Sequence, residues 1–178
     1  MKSILAAIAL CVAIGVDAAD GTNVTGWGLT KWGMNEAEVL AALKSMARKS
    51  IKAEPLKDLI CLVEIPIVSI DGQPFDGRLF FDKKTRTLRK VVLNATKAVK
   101  NPESVFSSLE QKLIEKYGKP DFENDNKKEF GGSIPIDRKR AWKRGSTRIQ
   151  LILLSIPNTA NAFGITYEAV SPEGEKNL

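Results

Sequence analysis

Residues 59–95 have the sequence LICLVEIPIVSIDGQPFDGRLFFDKKTRTLRKVVLNA, in which three apolar runs follow one another with short polar breaks. The runs are residues 59–70, 75–82 and 87–95. Their Ile, Val, Leu and Phe residues favour strands, whereas Asp71-Gly72-Gln73-Pro74 and Lys83-Lys84-Thr85 favour chain reversal. We therefore predict three consecutive antiparallel strands. Pro66 cannot donate a ladder hydrogen bond, so we expect it at an edge or a bulge.

A capped helix precedes these strands, and a second one follows them. Asn35-Glu36-Ala37-Glu38 has the form of a capping box, and apolar residues then recur at helical spacing, which predicts a helix over 36–48. Asn101-Pro102 combines a cap residue with proline at the first helical position. An apolar stripe follows, and Gly118 is expected to end this second helix.

Three further strands are expected after a long polar loop at residues 119–136, which contains Gly131-Gly132. They cover about 138–144, 147–154 and 163–170, with a hairpin turn at Gly145-Ser146. The predicted fold class is therefore α+β. Two tandem α-β-β-β units, about 27–97 and 98–170, would form one curved antiparallel sheet with helices on one face and the other face open to solvent.

The N-terminus has the pattern of an export signal. A positive start at Met1-Lys2 precedes the apolar run 4–16, and small residues end at Ala18-Ala19. The run is shorter than the roughly 20 residues that a membrane span needs. Lipid attachment at Cys11 is an alternative, although Leu10 before it is larger than the usual small residue. We predict a signal peptide over 1–19 and a periplasmic or secreted protein without a transmembrane segment in its mature chain.

Residues 20–178 would form a single domain with a polar tail at 171–178. This part contains one cysteine, Cys61, which has no second cysteine for an internal disulfide and lies in an apolar run. The whole chain has 27 Lys and Arg, 21 Asp and Glu, a net charge of +6 and no histidine. Mechanisms that need an imidazole base and metal sites with His ligands are therefore excluded. We predict no cofactor, no metal and no catalytic residues, with a hydrolase as a third-ranked alternative; no spacing of serine and lysine favours Ser-Lys chemistry.

The most basic run, RKRAWKR at residues 138–144, supplies the candidate binding site. Strand alternation would place every second side chain of this run on one face. The candidate binding residues are Arg138, Arg140, Trp142, Arg144 and Arg148. Cations around an aromatic ring suit an acidic protein surface, an anionic headgroup or a nucleic-acid backbone. The alternative is an edge strand protected by its charge, with Trp142 packed in the core.

The order of elements resembles the β-lactamase-inhibitor-protein-like fold, whose members repeat a helix-plus-sheet unit and bind partners on the open sheet face. Local phrases also resemble small exported bacterial proteins of unknown function: Trp32-Gly33-Met34, Lys116-Tyr117-Gly118-Lys119-Pro120, and the Trp142 strand that leads into Ile149-Gln150-Leu151. The inhibitor family depends on disulfides that the mature chain would not form. The resemblance therefore implies a fold and a binding mode, but no functional residue.

The sequence thus predicts an exported, non-enzymatic binding protein that uses an open sheet face to contact a protein partner. The partner would be an enzyme that it inhibits or an envelope component that it helps to assemble. The alternative is charge-driven binding to anionic lipid or polysaccharide at the cell envelope. We expect no nucleic-acid partner, because the protein is exported and the acidic stretch 121–129 offsets the basic run.

Overall fold

The computed structural model describes residues 23–96, 99, 101–127, 136–156 and 160–170. The predicted signal peptide, the polar tail and Gly131-Gly132 lie outside the described residues.

Two α-helices, one 3-10 turn and eleven strands occur in the described part of the chain. In chain order they are β1 Gly26–Trp27, β2 Thr30–Lys31, α1 Glu36–Leu43, the 3-10 turn Lys44–Met46, β3 Arg48–Lys49, β4 Pro55–Leu56, β5 Leu59–Ile70, β6 Gln73–Asp82, β7 Leu88–Ala95, α2 Pro102–Tyr117, β8 Phe122–Lys127, β9 Ile136–Arg144, β10 Thr147–Ile156 and β11 Ala160–Ala169.

The main sheet has the strand order β3-β5-β6-β7-β11-β10-β9-β8, and β4 pairs with β5 beside this path. Every pairing in it is antiparallel. The pairing of β7 with β11 joins the strands before α2 to those after it, with Val92 opposite Thr166. The fold is therefore α+β with an antiparallel sheet, as the sequence predicts.

Both helices pack on one face of this sheet. Val39 and Leu43 of α1 and Phe106 and Leu109 of α2 are buried in one hydrophobic cluster with alternate residues of the strands. Trp142 of β9 belongs to the same cluster. Full burial of a large apolar side chain contributes about 1.5–3 kcal/mol, so this one-sided core fixes which way each strand faces.

The local signals at the helix ends have different outcomes. The capping box at Asn35 is confirmed, because its side chain accepts from the Glu38 amide at 3.1 Å and the Glu38 carboxylate accepts from the Asn35 amide at 2.8 Å. The predicted continuation of α1 to residue 48 is wrong, since Lys44 has φ of 51° and ends the α-helix. Pro102 is at the start of α2 as predicted, but Asn101 is left-handed and makes no side-chain capping bond.

The predicted loop at 119–136 is corrected in its first half. Residues 122–127 form β8, which pairs with β9 in six consecutive register positions. Five polar or charged residues after one phenylalanine would not predict a strand from apolar periodicity, but a neighbouring strand supplies ion-pair partners. The described sheet therefore ends at β8, and the basic strand β9 is internal. The ladder shifts register between Ile65 and Val68, which confirms a bulge at Pro66.

Candidate functional site

The basic strand β9 places its predicted binding residues against α2. Arg138, Arg140, Trp142 and Arg144 share one face, as alternation requires, and this face is the one that the helix covers. Arg140 is 3% exposed and Trp142 is 1% exposed. The packing of Trp142 in the core agrees with one part of the structural alternative, but the predicted edge position is wrong, because β9 lies between β8 and β10.

Arg140 lies in a network of ion pairs between α2, β8 and β9. Its Nη2 donates to Asp125 Oδ2 at 2.9 Å, and its Nε pairs with Glu110. Arg138 contacts the same two carboxylates, at 3.0 Å to Asp125 Oδ1 and 3.3 Å to Glu110 Oε2. Hydrogen bonds from Arg140 are the main cause of the lowered pKa of Asp125, with a smaller contribution from Arg138. Both arginines are thus neutralised within the fold.

The ring of Phe106 completes the surroundings of these arginines. The guanidinium carbon of Arg138 lies 4.3 Å from the ring centroid, and that of Arg140 lies 5.5 Å from it. Phe106 is fully buried, so the contact is a cation–π interaction shielded from water. These contacts stabilise the packing of α2 against β9.

The end of α2 is held by the other two residues of this face. Trp142 Nε1 donates to the carbonyl oxygen of Gly118 at 2.8 Å. Arg144 donates to the carbonyl oxygens of Tyr117 at 2.6 Å and Lys119 at 2.7 Å, and it pairs with Asp121 at 2.8 Å. These carbonyls lie at the helix C-terminus, where a cation is favourable. Trp142 and Arg144 therefore have a structural role, because they bind the C-terminal end of α2 to β9.

Arg148 is the one predicted site residue on the opposite side of the sheet. It lies in β10 opposite Lys143 of β9 and Glu168 of β11, and it belongs to the set of alternate residues that point away from the helices. We call this side the open face. It includes Phe122, Asn124, Asn126, Asp137, Lys139, Ala141, Lys143, Arg148, Gln150, Ile152, Leu154, Thr166, Glu168, Lys90, Val92, Asn94, Asp76, Arg78 and Glu64.

Cations on the β5–β7 half of the open face are paired with carboxylates. Arg78 contacts Glu54 at 2.7 Å and Asp76 at 3.7 Å. Lys90 contacts Glu168 of β11 at 3.6 Å. At the β5 end, Ser50 Oγ donates to Glu64 at 2.6 Å. This half therefore has little uncompensated charge.

The β8–β10 half of the open face has a different charge pattern. Within the described residues, neither Lys139 nor Arg148 has a carboxylate within ion-pair distance. Lys139 Nζ lies 5.9 Å from the ring centroid of Phe122, whose side chain is 52% exposed. Lys143 is exposed beside them. We call Phe122, Lys139, Lys143 and Arg148 the basic patch.

Cys61 is buried and offers no accessible thiol. It is 1% exposed, and desolvation is the main cause of its raised pKa. In the described ranges, no group of three or more His, Cys, Asp or Glu side chains is placed to hold a metal ion. None of the helices in these ranges is long and apolar enough to span a membrane.

Sequence reasoning missed Phe122, Lys139 and Lys143. The alternation in RKRAWKR separates the even-numbered side chains from Lys139 and Lys143, and the presence of Trp142 in the even-numbered set was the signal that this set is the buried one. Phe122 could not be found in this way, because its segment was predicted to be a loop.

The chain was compared with protein-family models, curated proteins and solved structures, and none of the three comparisons found a match.

Proposed function

We propose that this protein is a non-enzymatic binding protein that contacts a protein partner through the open face. The observation that supports the proposal best is the asymmetry of the sheet. One face carries both helices and the hydrophobic core, whereas the other is uncovered among the described residues over several neighbouring strands. A broad uncovered face on a rigid antiparallel sheet is a suitable docking platform, because its side chains are held in a fixed register.

The composition of the open face also suits a protein interface. Ala141, Ile152 and Val92 are half-buried along its centre, and Gln150 and Thr166 lie among them in register. Charged side chains surround this central area. An apolar centre with amide and hydroxyl groups and a charged rim is the usual anatomy of a protein–protein interface.

Anionic lipid or polysaccharide fits this face less well. Glu168, Asp76 and Asp137 lie on the same face as the cations. A uniformly negative surface would approach these carboxylates together with the cations, and the like charges would repel. A protein surface can place negative groups at selected points and leave the carboxylates in water.

The proposal includes export and an origin by tandem repetition. The N-terminal pattern of residues 1–19 supports a periplasmic or secreted location. The order of elements supports two units, because a helix followed by antiparallel strands occurs before and after residue 98 and the last strands of the two series, β7 and β11, pair. The second series contains the additional strand β8. A relationship with β-lactamase-inhibitor-protein-like folds stays a prediction.

Capture from an envelope extract tests the proposed function. The full-length gene product is expressed with its own N-terminus, immobilised, and washed at low and then high salt. We expect a discrete protein to be retained at high salt, because a packed interface is less sensitive to screening than a charge-driven surface contact. Thr166→Trp places a bulky side chain at the centre of the open face and should abolish retention.

The matched control is Gln111→Trp, which adds the same side chain at an exposed position of α2. It should leave retention unchanged. Equal retention by both variants, or loss of all bound material at high salt, would contradict binding of a protein through the open face; the second result would favour anionic lipid or polysaccharide.

A further inference from the structure

We propose that the basic patch receives an acidic segment of the partner protein, with Lys139 and Arg148 contacting carboxylates and Phe122 packing against an apolar side chain between them. This inference rests on the proposed function and names the chemistry of the partner at one half of the open face.

The first support is the sorting of charge between the two faces at the sheet edge. Glu123 and Asp125 of β8 point to the helix-covered side, where Arg140 contacts both, at 3.7 Å and 2.9 Å. The alternate β8 residues on the open face are Phe122, Asn124 and Asn126, which are neutral. The acidic stretch therefore does not neutralise Lys139, although the two are adjacent in the sheet.

The second support is the contrast between the two halves of the open face. Arg78 and Lys90 have carboxylate partners at 2.7 Å and 3.6 Å, whereas Lys139 and Arg148 have none among the described residues. An unpaired cation on an otherwise paired face has its charge available for an external carboxylate. Charge complementarity therefore points to a negatively charged occupant at this half.

The nearest carboxylates on the open face do not remove this charge. Asp137 is two residues from Lys139 on the same face of β9, but the two make no ion pair. Glu168 lies opposite Arg148 in the ladder and contacts Lys90 at 3.6 Å. Their presence favours an occupant with discrete carboxylates over a continuous anionic surface.

The register gives the spacing that an occupant must match. Lys139 lies opposite Ile152, four positions along β10 from Arg148. With about 3.3 Å per strand residue and about 4.8 Å between strands, the two cationic positions are roughly 14 Å apart. Two acidic residues four positions apart in an extended segment span roughly 13 Å and point to the same side.

Phe122 lies opposite Ala141. Along the strand direction it is therefore between the position of Lys139 and that of Arg148. Its side chain is 52% exposed, and an aromatic ring of this kind is a common anchor in protein interfaces. An apolar side chain between the two acidic residues of the occupant would cover it. The predicted occupant is thus an extended acidic segment with an apolar residue near its middle.

Two experiments test this inference, and the first uses poly-L-glutamate as the probe. We expect saturable binding at low salt, and the double variant Lys139→Glu and Arg148→Glu should weaken it about tenfold. Lys52→Glu and Lys84→Glu change the net charge equally at exposed positions away from the patch and should alter affinity less than twofold. Equal weakening by both double variants, no saturable binding, or tighter binding to phosphatidylglycerol vesicles than to poly-L-glutamate would overturn the inference.

The second experiment repeats the capture from envelope extract with the same double variants. We expect the captured protein to be lost with the double variant Lys139→Glu and Arg148→Glu and to be retained with the control double variant Lys52→Glu and Lys84→Glu. Capture that survives the patch variant but is lost with Thr166→Trp would overturn the acidic-segment inference and leave the proposed function standing. Capture that survives all of these variants would contradict both.

Discussion

Arg140 shows how the position of one residue depends on the fold. In the sequence it is one cation in a basic run, and strand alternation groups it correctly with Arg138, Trp142 and Arg144. Alternation alone does not tell which of two faces a helix will cover. Phe106 and Glu110 of α2 decide this, because they offer a buried ring and a carboxylate to one face only.

Removal of the Arg140 side chain should therefore destabilise the fold. Arg140→Ala removes the more buried of the two arginines that Glu110 and Asp125 share and leaves them only Arg138, and we expect it to lower the free energy of unfolding by about 2–4 kcal/mol. Arg148→Ala, on the open face, should change it by less than about 0.5 kcal/mol. Urea unfolding followed by tryptophan fluorescence measures both. Similar losses for the two variants would contradict the structural role of Arg140.

The same network predicts how stability depends on acid. The pKa of Asp125 is lowered in the fold, chiefly by hydrogen bonds from Arg140, so its unfolded state binds a proton more readily than the folded state. The contribution of Asp125 to the free energy of unfolding is present above about pH 4 and is lost as the pH falls through the lowered pKa. Asp125→Asn should therefore be less stable than the natural protein at about pH 6, with a smaller difference at about pH 3.

Urea titrations of both proteins at the two pH values measure this difference. Asp71 and Asp82 also have lowered pKa values, so the natural protein and the variant should both retain other acid sensitivity. A stability gap that is unchanged or wider at the lower pH would count against the contribution of Asp125.

At the scale of elements, sequence patterns identified the strands that bury alternate apolar residues. They missed β8, which has no alternate apolar residues to bury. β5, β6 and β7 carry long apolar runs, and their bounds were predicted closely. β8 has the sequence FENDNK, and its acidic residues gain partners only when Arg138 and Arg140 lie beside them. A strand held by cross-strand ion pairs has no periodic signal of its own, which is why the sheet edge was misplaced.

The two helix starts provide a test at this scale. Asn35→Ala removes a capping bond and should cost about 1 kcal/mol of unfolding free energy. Asn101 makes no capping bond and has φ of 52°, a conformation that glycine adopts readily. Asn101→Gly should therefore change the unfolding free energy by less than about 0.5 kcal/mol. Thermal or urea unfolding checks the pair, and a larger loss from the second variant would show that the two starts were assigned wrongly.

At the scale of the whole molecule, the arrangement separates two kinds of charge. Arginines on the helix-covered side bind the acidic residues of α2 and β8, while the cations of the basic patch remain on the open face. The net charge of +6 does not reveal this separation, because it counts both sets alike. Composition could therefore suggest an anionic partner but could not locate the surface that would bind it.

Photo-cross-linking in intact cells that produce the protein tests whether the open face is the binding surface. A photoreactive phenylalanine analogue is introduced at Gln150, at the centre of the open face, and in a separate strain at Gln111 on the exposed side of α2. We expect one discrete cross-linked protein from position 150 and none from position 111. Cross-linking from position 111 alone would contradict this expectation.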